Sequence, residues 1–261
     1  MDMIGITNAG DPALNKTWLD NLHAVKFAIV ISKGADAAFE KDLLDHKDKI
    51  IYHATCTGLG GTAIEPRAPT VVEKFEHLKR IINRGFPVSQ IVVRIDPLLP
   101  YDIAEAVNAA LAIDYIAKLK NILMMTEHLG IQRVRYSHLD EFEFTKDAFN
   151  KIAVGLHPNR RNYVSDYLLD LRQLNPNLHY ESCTEPCSPP GDKFGCISDI
   201  DASILGMNRS VELKYPPMNN FSTPCRCPLN KLELLLHNGK FDCKFGCIYC
   251  YWRQDEHKRP L

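Results

Sequence analysis

Eight of the nine cysteines of this chain fall between residues 183 and 250. Cysteines used as small core hydrophobes would be scattered along the sequence, so the crowding marks a thiolate-rich site. The tightest group is Cys243, Cys247 and Cys250, spaced Cys-x3-Cys-x2-Cys, with Tyr249 directly before the last thiol. Three thiolates on one short loop can hold three irons of a [4Fe–4S] cluster and leave the fourth iron open to a small molecule. A zinc knuckle with a distant fourth ligand and a ferredoxin-like cluster use related spacings; the lack of an obvious fourth ligand nearby favours the open iron. A second group consists of Cys183, Cys196, Cys225 and Cys227, with Cys187 as a spare. Its close Cys225-x-Cys227 pair and Pro-rich surroundings suit an auxiliary Fe–S cluster or a structural zinc, and spacing does not choose between the metals. Reduced, buried thiols are the plain alternative. Cys56 stands alone at the end of an apolar run and reads as a core residue.

Other residues capable of chemistry sit where apolar runs end. Arg94 and Asp96 alternate just before Pro97; His138 and Glu181 close two later runs, and His53 lies on an earlier one. Charge on a strand that faces an interior needs a partner or water, so Arg94, Asp96, His138 and Glu181 are expected to form a ligand wall. The plain alternative is a structural Arg94–Asp96 ion pair. Gly58, Gly60 and Gly61 follow the third run and would let backbone approach a ligand closely. There is no phosphate-binding loop of the Walker type and no dinucleotide fingerprint.

The elements that must position these groups are legible as two alternating periods. Short β-branched runs at 3–7, 27–31, 50–54 and 91–95, and weaker ones at 133–137 and 178–181, read as buried strands. Helical patterns lie between them, over 36–46, 70–83 and 163–174, with 103–129 as one long helix or two with a bend. Six strands alternating with helices imply right-handed βαβ units and a parallel sheet, either open or closed as a partial (β/α)6 barrel of the TIM type. Chemistry in such folds belongs at the C-terminal ends of the strands. The expected organisation is a βα core over residues 1–182 and a Cys-rich, irregular segment over 183–261 that carries metal and closes the mouth of the barrel. With 45% hydrophobic and 24% charged residues and a formal charge of −1, a disordered chain and a general nucleic-acid coat are excluded. The longest apolar run is interrupted by Glu105, Asp114, Lys118 and Lys120, so no membrane span is expected. Met1-Asp2-Met3-Ile4 lacks the basic start and apolar stretch of a secretory signal, and the expected location is the cytoplasm.

The cluster spacing with its aromatic resembles that of radical S-adenosylmethionine (SAM) enzymes. In these, a [4Fe–4S] cluster on three cysteines binds SAM through its open iron and cleaves it to a 5'-deoxyadenosyl radical. The motif usually follows the first strand; its position here, near residue 250, implies a rearranged connection. The ordered pieces Arg94-Ile95-Asp96-Pro97-Leu98-Leu99, Glu181-Ser182-Cys183, Gly195-Cys196-Ile197-Ser198-Asp199, Cys225-Arg226-Cys227 and Cys243-x3-Cys247-Ile248-Tyr249-Cys250-Tyr251 resemble the bacterial and phage family DUF1848. That family is held to be related to radical SAM barrels. The resemblance implies SAM as ligand and an external electron donor, with Gly58, Gly60, Gly61 and Tyr249 as cofactor contacts, though Thr62 stands where a SAM-binding acid is usual and Glu65 comes later. Similarity to the spore photoproduct lyase type implies a thymidine derivative, or another nucleobase in DNA or a nucleotide, as substrate; Tyr251, Trp252, Arg253, Lys258 and Arg259 could stack on a base and hold phosphate. The competing functions are a zinc-stabilised binding module without catalysis and an Fe–S electron carrier or sensor.

Overall fold

The β-branched runs form strands because both of their faces are covered. In the computed structural model, residues 2–140, 142, 145–155, 166–183, 192–206, 227–236 and 243–250 are described. Among the described residues eight strands form one sheet: β1 (Ile4–Ile6), β2 (Phe27–Ser32), β3 (Ile50–Thr55), β4 (Ile91–Leu98), β5 (Arg133–His138), β6 (His179–Cys183), β7 (Asp192–Phe194) and β8 (Lys231–Glu233). Every pairing is parallel, and the order is β7-β6-β5-β4-β3-β2-β1-β8. The first six strands stand where the sequence pattern puts them. The last two are a correction to the expected six. Asp192-Lys193-Phe194 and Lys231-Leu232-Glu233 carry no β-branched run; pairing with the open edges of β6 and β1 makes them strands. The sheet thus continues past residue 182 into the segment expected to be irregular.

Helices α1 (Thr17–Asn21), α2 (Ala37–Asp45), α3 (Val71–Asn83), α4 (Tyr101–Leu111), α5 (Tyr115–His128), α6 (Lys146–Asn150), α7 (Asp166–Leu174) and α8 (Asp199–Gly206) follow or separate the strands. The stretch 103–129 resolves into two helices. Ala112 turns into the left-handed region at φ 50°, and the Asp114 carboxylate caps α5 by accepting from the Ala117 amide at 2.9 Å. On α3 the buried face is Val71, Phe75, Leu78 and Ile81, while Ile82 is only half-buried. Helices cover one face of the sheet, where Ala28, Val30, Tyr52, Val93 and Ile95 pack among Trp18, Phe39, Phe75 and Leu119. The opposite face buries Ile4, Ile6, Phe27, Ile29, Ile51 and Val92 with Cys183, Cys196, Ile197 and Cys227, and α8 lies against it through Ala202, Ile204 and Leu205. Among the described residues no helix is long and apolar enough to cross a membrane.

α3 begins at a reciprocal cap. The Thr70 hydroxyl accepts from the Glu73 amide at 3.3 Å, and the Glu73 carboxylate accepts from the Thr70 amide at 2.8 Å. Thr70→Ala should lower unfolding stability by about 1 kcal/mol, read from urea midpoints; an unchanged midpoint would show that packing alone fixes this helix.

Candidate functional site

The loop Cys243–Cys250 folds back on itself. Gly246 takes φ 71°, and a Cβ there would come within 3.0 Å of Arg67 Nη2. The Cys250 amide donates to the Cys247 carbonyl at 3.2 Å. The loop docks on the segment that follows β3. The Ile248 amide donates to the Ile64 carbonyl at 3.0 Å, and the Arg67 amide to the Phe245 carbonyl at 3.3 Å. Phe245, Cys247, Ile248 and Tyr249 are buried there, with Cys243 and Cys250 half-buried. Because all strands run parallel, this contact puts the three thiols at the C-terminal ends of the strands.

Glu65 fastens the contact. Its buried carboxylate accepts from Thr57 Oγ1 at 2.7 Å, from Lys33 Nζ at 2.9 Å and from the Tyr249 hydroxyl. The Lys33 ammonium also stands 5.7 Å from the centre of the Tyr249 ring. Burial opposes the Lys33 charge, but Glu65 and the Cys247 sulfur more than offset this and raise its pKa. Burial likewise pushes the Cys243 thiol up to about 11 and Cys247 up to about 12, with Lys33 acting in the opposite direction on both. Both thiols are therefore protonated near neutral pH, and a metal bound there would have to displace those protons. The donor set fits a cluster of the open-iron kind: three cysteines on one turn, two of them half-open. Among the described residues no three His, Cys, Asp or Glu side chains stand already gathered around a common metal position.

Gly58, Gly60 and Gly61 lie in the segment after β3, on which the cysteine loop with Tyr249 docks. A Cβ at Gly60 would meet the Pro69 carbonyl oxygen at 1.9 Å, so the close approach is between two parts of the same segment. Gly58 packs on Lys118 and Gly61 on Thr70. They shape the bend that presents Glu65, and the Tyr249 hydroxyl is spent on that carboxylate. Glu65 and Lys33 are the residues that sequence reasoning undervalued; the available signal was an acid displaced a few positions beyond the glycines.

A second site lies on the α8 side of the sheet. Arg94 Nε donates to Asp96 Oδ2 at 2.6 Å, and Asp96 Oδ1 also accepts from the Ser137 hydroxyl. Arg94 Nη2 stands 3.8 Å from Cys183 Sγ and 3.7 Å from Cys196 Sγ. Those sulfurs are 3.6 Å apart, and the Cys196 amide donates to Cys227 Sγ at 3.2 Å. Of the four expected thiols, those of Cys183 and Cys196 thus meet, and the Cys227 sulfur is held by the Cys196 amide; Cys225 and Cys187 lie outside the described residues, as do Tyr251, Trp252, Arg253, Lys258 and Arg259. The hydrogen bond with Cys183, then that with Cys227, together with Arg94 and Arg135, hold the Cys196 thiol well below its ordinary pKa against its burial.

Glu181 is engaged differently from the ligand wall expected of it. It is fully buried and accepts from Arg133 Nη2 at 2.9 Å and from Arg135 Nη2. Asp201 of α8 takes the other hydrogens, from Arg133 Nη2 at 2.7 Å and Arg135 Nη1 at 3.2 Å. Two guanidiniums and two carboxylates neutralise one another away from water, as buried charges must. The alternation Arg133-x-Arg135 on one strand, opposite Glu181 on the next, was the signal for it. His138 is buried with its ring 6.0 Å from that of Tyr136.

Fold and site together define a parallel α/β protein with one thiol group on a loop at the strand ends and another beneath the sheet. The chain belongs to the family DUF1848, a domain of unknown function, whose profile matches residues 7–252. No curated protein and no solved structure matches it.

Burial lowers the pKa of His53 to about 3, of His77 to about 2 and of His138 to about 4. The unfolded chain binds these protons near pH 6.5, the folded chain only far below, so stability is lost as pH falls below about 6.5, by about 1.4 kcal/mol per pH unit for each group. Urea midpoints should drop from pH 7 to pH 5.5, and the drop should shrink in His53→Gln; an equal drop in the variant would place the proton uptake elsewhere.

Proposed function

We propose that this protein is a radical SAM enzyme, with a [4Fe–4S] cluster on Cys243, Cys247 and Cys250. The observation that carries the reading is the docking of a Cys-x3-Cys-x2-Cys loop on the C-terminal side of a parallel sheet, where α/β folds bind their ligands. The strand order supports a barrel: eight parallel strands in sequence order, with β8 on the far side of β1, have the order of a (β/α)8 barrel opened between β7 and β8. When bound, cluster and SAM supply one-electron chemistry that generates a 5'-deoxyadenosyl radical. The chain's own groups prepare the place. Tyr249 and Glu65 fix the loop, Lys33 offsets the negative charge of the thiolates, and Phe245 and Ile248 keep water from its inner side. The half-buried Cys243 and Cys250 leave the outer side to SAM.

The substrate belongs to the same reading: a nucleobase in DNA or a nucleotide, a thymidine derivative first. Arg67 and Lys244, both exposed beside the loop, supply cations suited to phosphate. The cytoplasm, where thiols stay reduced, suits the chemistry.

Protein purified without oxygen should be brown, with iron and acid-labile sulfide. With dithionite and SAM it should release 5'-deoxyadenosine, and Cys247→Ala should not. Colourless, zinc-loaded protein would point to a binding module, and brown protein that never consumes SAM to an electron carrier. DNA should bind with salt-dependent affinity and stimulate 5'-deoxyadenosine release; neither effect at low ionic strength would remove the nucleic-acid substrate.

A further inference from the structure

We propose that Cys183, Cys196 and Cys227 bind a mononuclear, tetrahedral divalent metal of the zinc class, independent of the strand-end loop and of any SAM chemistry there. The three residues come from the end of β6, from the turn after β7 and from the approach to β8, and all three are buried on the α8 side of the sheet. The sulfur separation selects the type of site. Two thiolates at about 2.3 Å from one tetrahedral zinc stand about 3.8 Å apart; Cys183 and Cys196 stand at 3.6 Å. On a [4Fe–4S] cluster each thiolate caps a different iron, and the sulfurs are held further apart. Two sulfurs therefore already have the spacing of ligands on one ion, and the third is held by the Cys196 amide at 3.2 Å. The ion would bring that third sulfur to the same spacing.

Three thiolates and a divalent cation carry one net negative charge, and the Arg94 guanidinium, which also binds Asp96, offers its Nη2 hydrogens at 3.7 and 3.8 Å from two of the sulfurs. The nearby Arg133, Arg135, Glu181 and Asp201 cancel among themselves. The Cys196 amide on the Cys227 sulfur is the kind of outer contact that steadies a metal thiolate. Bound metal would tie the segments bearing β6, β7 and β8 together, which a three-residue strand at each sheet edge cannot do alone.

The test uses the full chain with Cys243, Cys247 and Cys250 all changed to Ala, so that any remaining metal belongs to this group. Elemental analysis should find about one zinc per chain and no acid-labile sulfide. Cys196→Ser in that background should abolish it, whereas Cys56→Ser should leave it unchanged. Cobalt added after chelation should give the thiolate charge-transfer absorption of a tetrahedral site, absent in Cys183→Ser. If Cys196→Ser fails to fold, chelator treatment of the triple variant decides instead, with zinc released in equal amount to the chain and a lowered unfolding midpoint. A folded triple variant without metal, or one with iron and sulfide, overturns the proposal. Because the loop thiols are absent throughout, none of these outcomes depends on whether the wild type cleaves SAM.

Discussion

Arg133 and Arg135 leave β5 on the same face, and that face is closed to water. Two guanidiniums in such a place must find two carboxylates or the strand cannot be buried. Glu181 is supplied by the neighbouring strand, but Asp201 has to be carried in by α8 from a different part of the chain. Much else follows from this one requirement. α8 is drawn under the sheet, with Ala202, Ile204 and Leu205 packed against the apolar residues of that face. The turn before it is fixed because Arg135 donates to the Cys196 carbonyl at 2.7 Å, and Ser198 and Asp201 close the turn at 2.8 Å. Cys196 thereby arrives beside Cys183 and Arg94. A charge-balance problem on one strand thus places the thiols.

The two thiol groups meet different electrostatics. In the loop, Cys243 and Cys247 feel Lys33, which is itself shared with Glu65, but burial dominates and both thiols hold their protons tightly. The inner thiols face Arg94 directly and one another, and Cys196 is the easily ionised member. Asp96 sits between the two environments. It binds Arg94 on one side and acts electrostatically on Lys33 and Tyr249 on the other.

Side-chain pattern revealed elements that bury side chains, and missed those made by backbone. β1 to β4 were legible because Ile, Val and Phe in short runs have to be covered on both faces, and β5 and β6 more faintly, through Val134, Tyr136 and Tyr180. β7 and β8 were not, because a strand of three residues, two of them charged, is specified by the edge it pairs with. The glycines at 58, 60 and 61 were read as room for a ligand, yet a sequence cannot say what is approached; Gly60 lies against Pro69 of the same segment, Gly58 against Lys118 and Gly61 against Thr70. Glu181 looked like a ligand because a charge at a strand end is unusual. Its partners were Arg133 and Arg135, visible on the adjacent run; Asp201, which shares those two arginines, is brought there by a helix that no local pattern could place. The thiol groups were legible as groups because spacing and crowding survive in one dimension; which sulfurs touch depended on α8.

The pairing of β8 with β1 sets an order of events during synthesis. Ile4 finds its outer neighbour only when Lys231 exists, and Gly5 is bare so that Leu234 can rest 2.6 Å from where its Cβ would be. Until then a growing chain presents the open backbone edge of β1 to whatever strand comes near, the situation that invites wrong pairing. The cysteine loop follows β8 in sequence, so its three thiols can reach the strand ends only after that edge has had its chance to close. A chain stalled before β8 would have neither this outer strand nor the loop that docks beside Ile64.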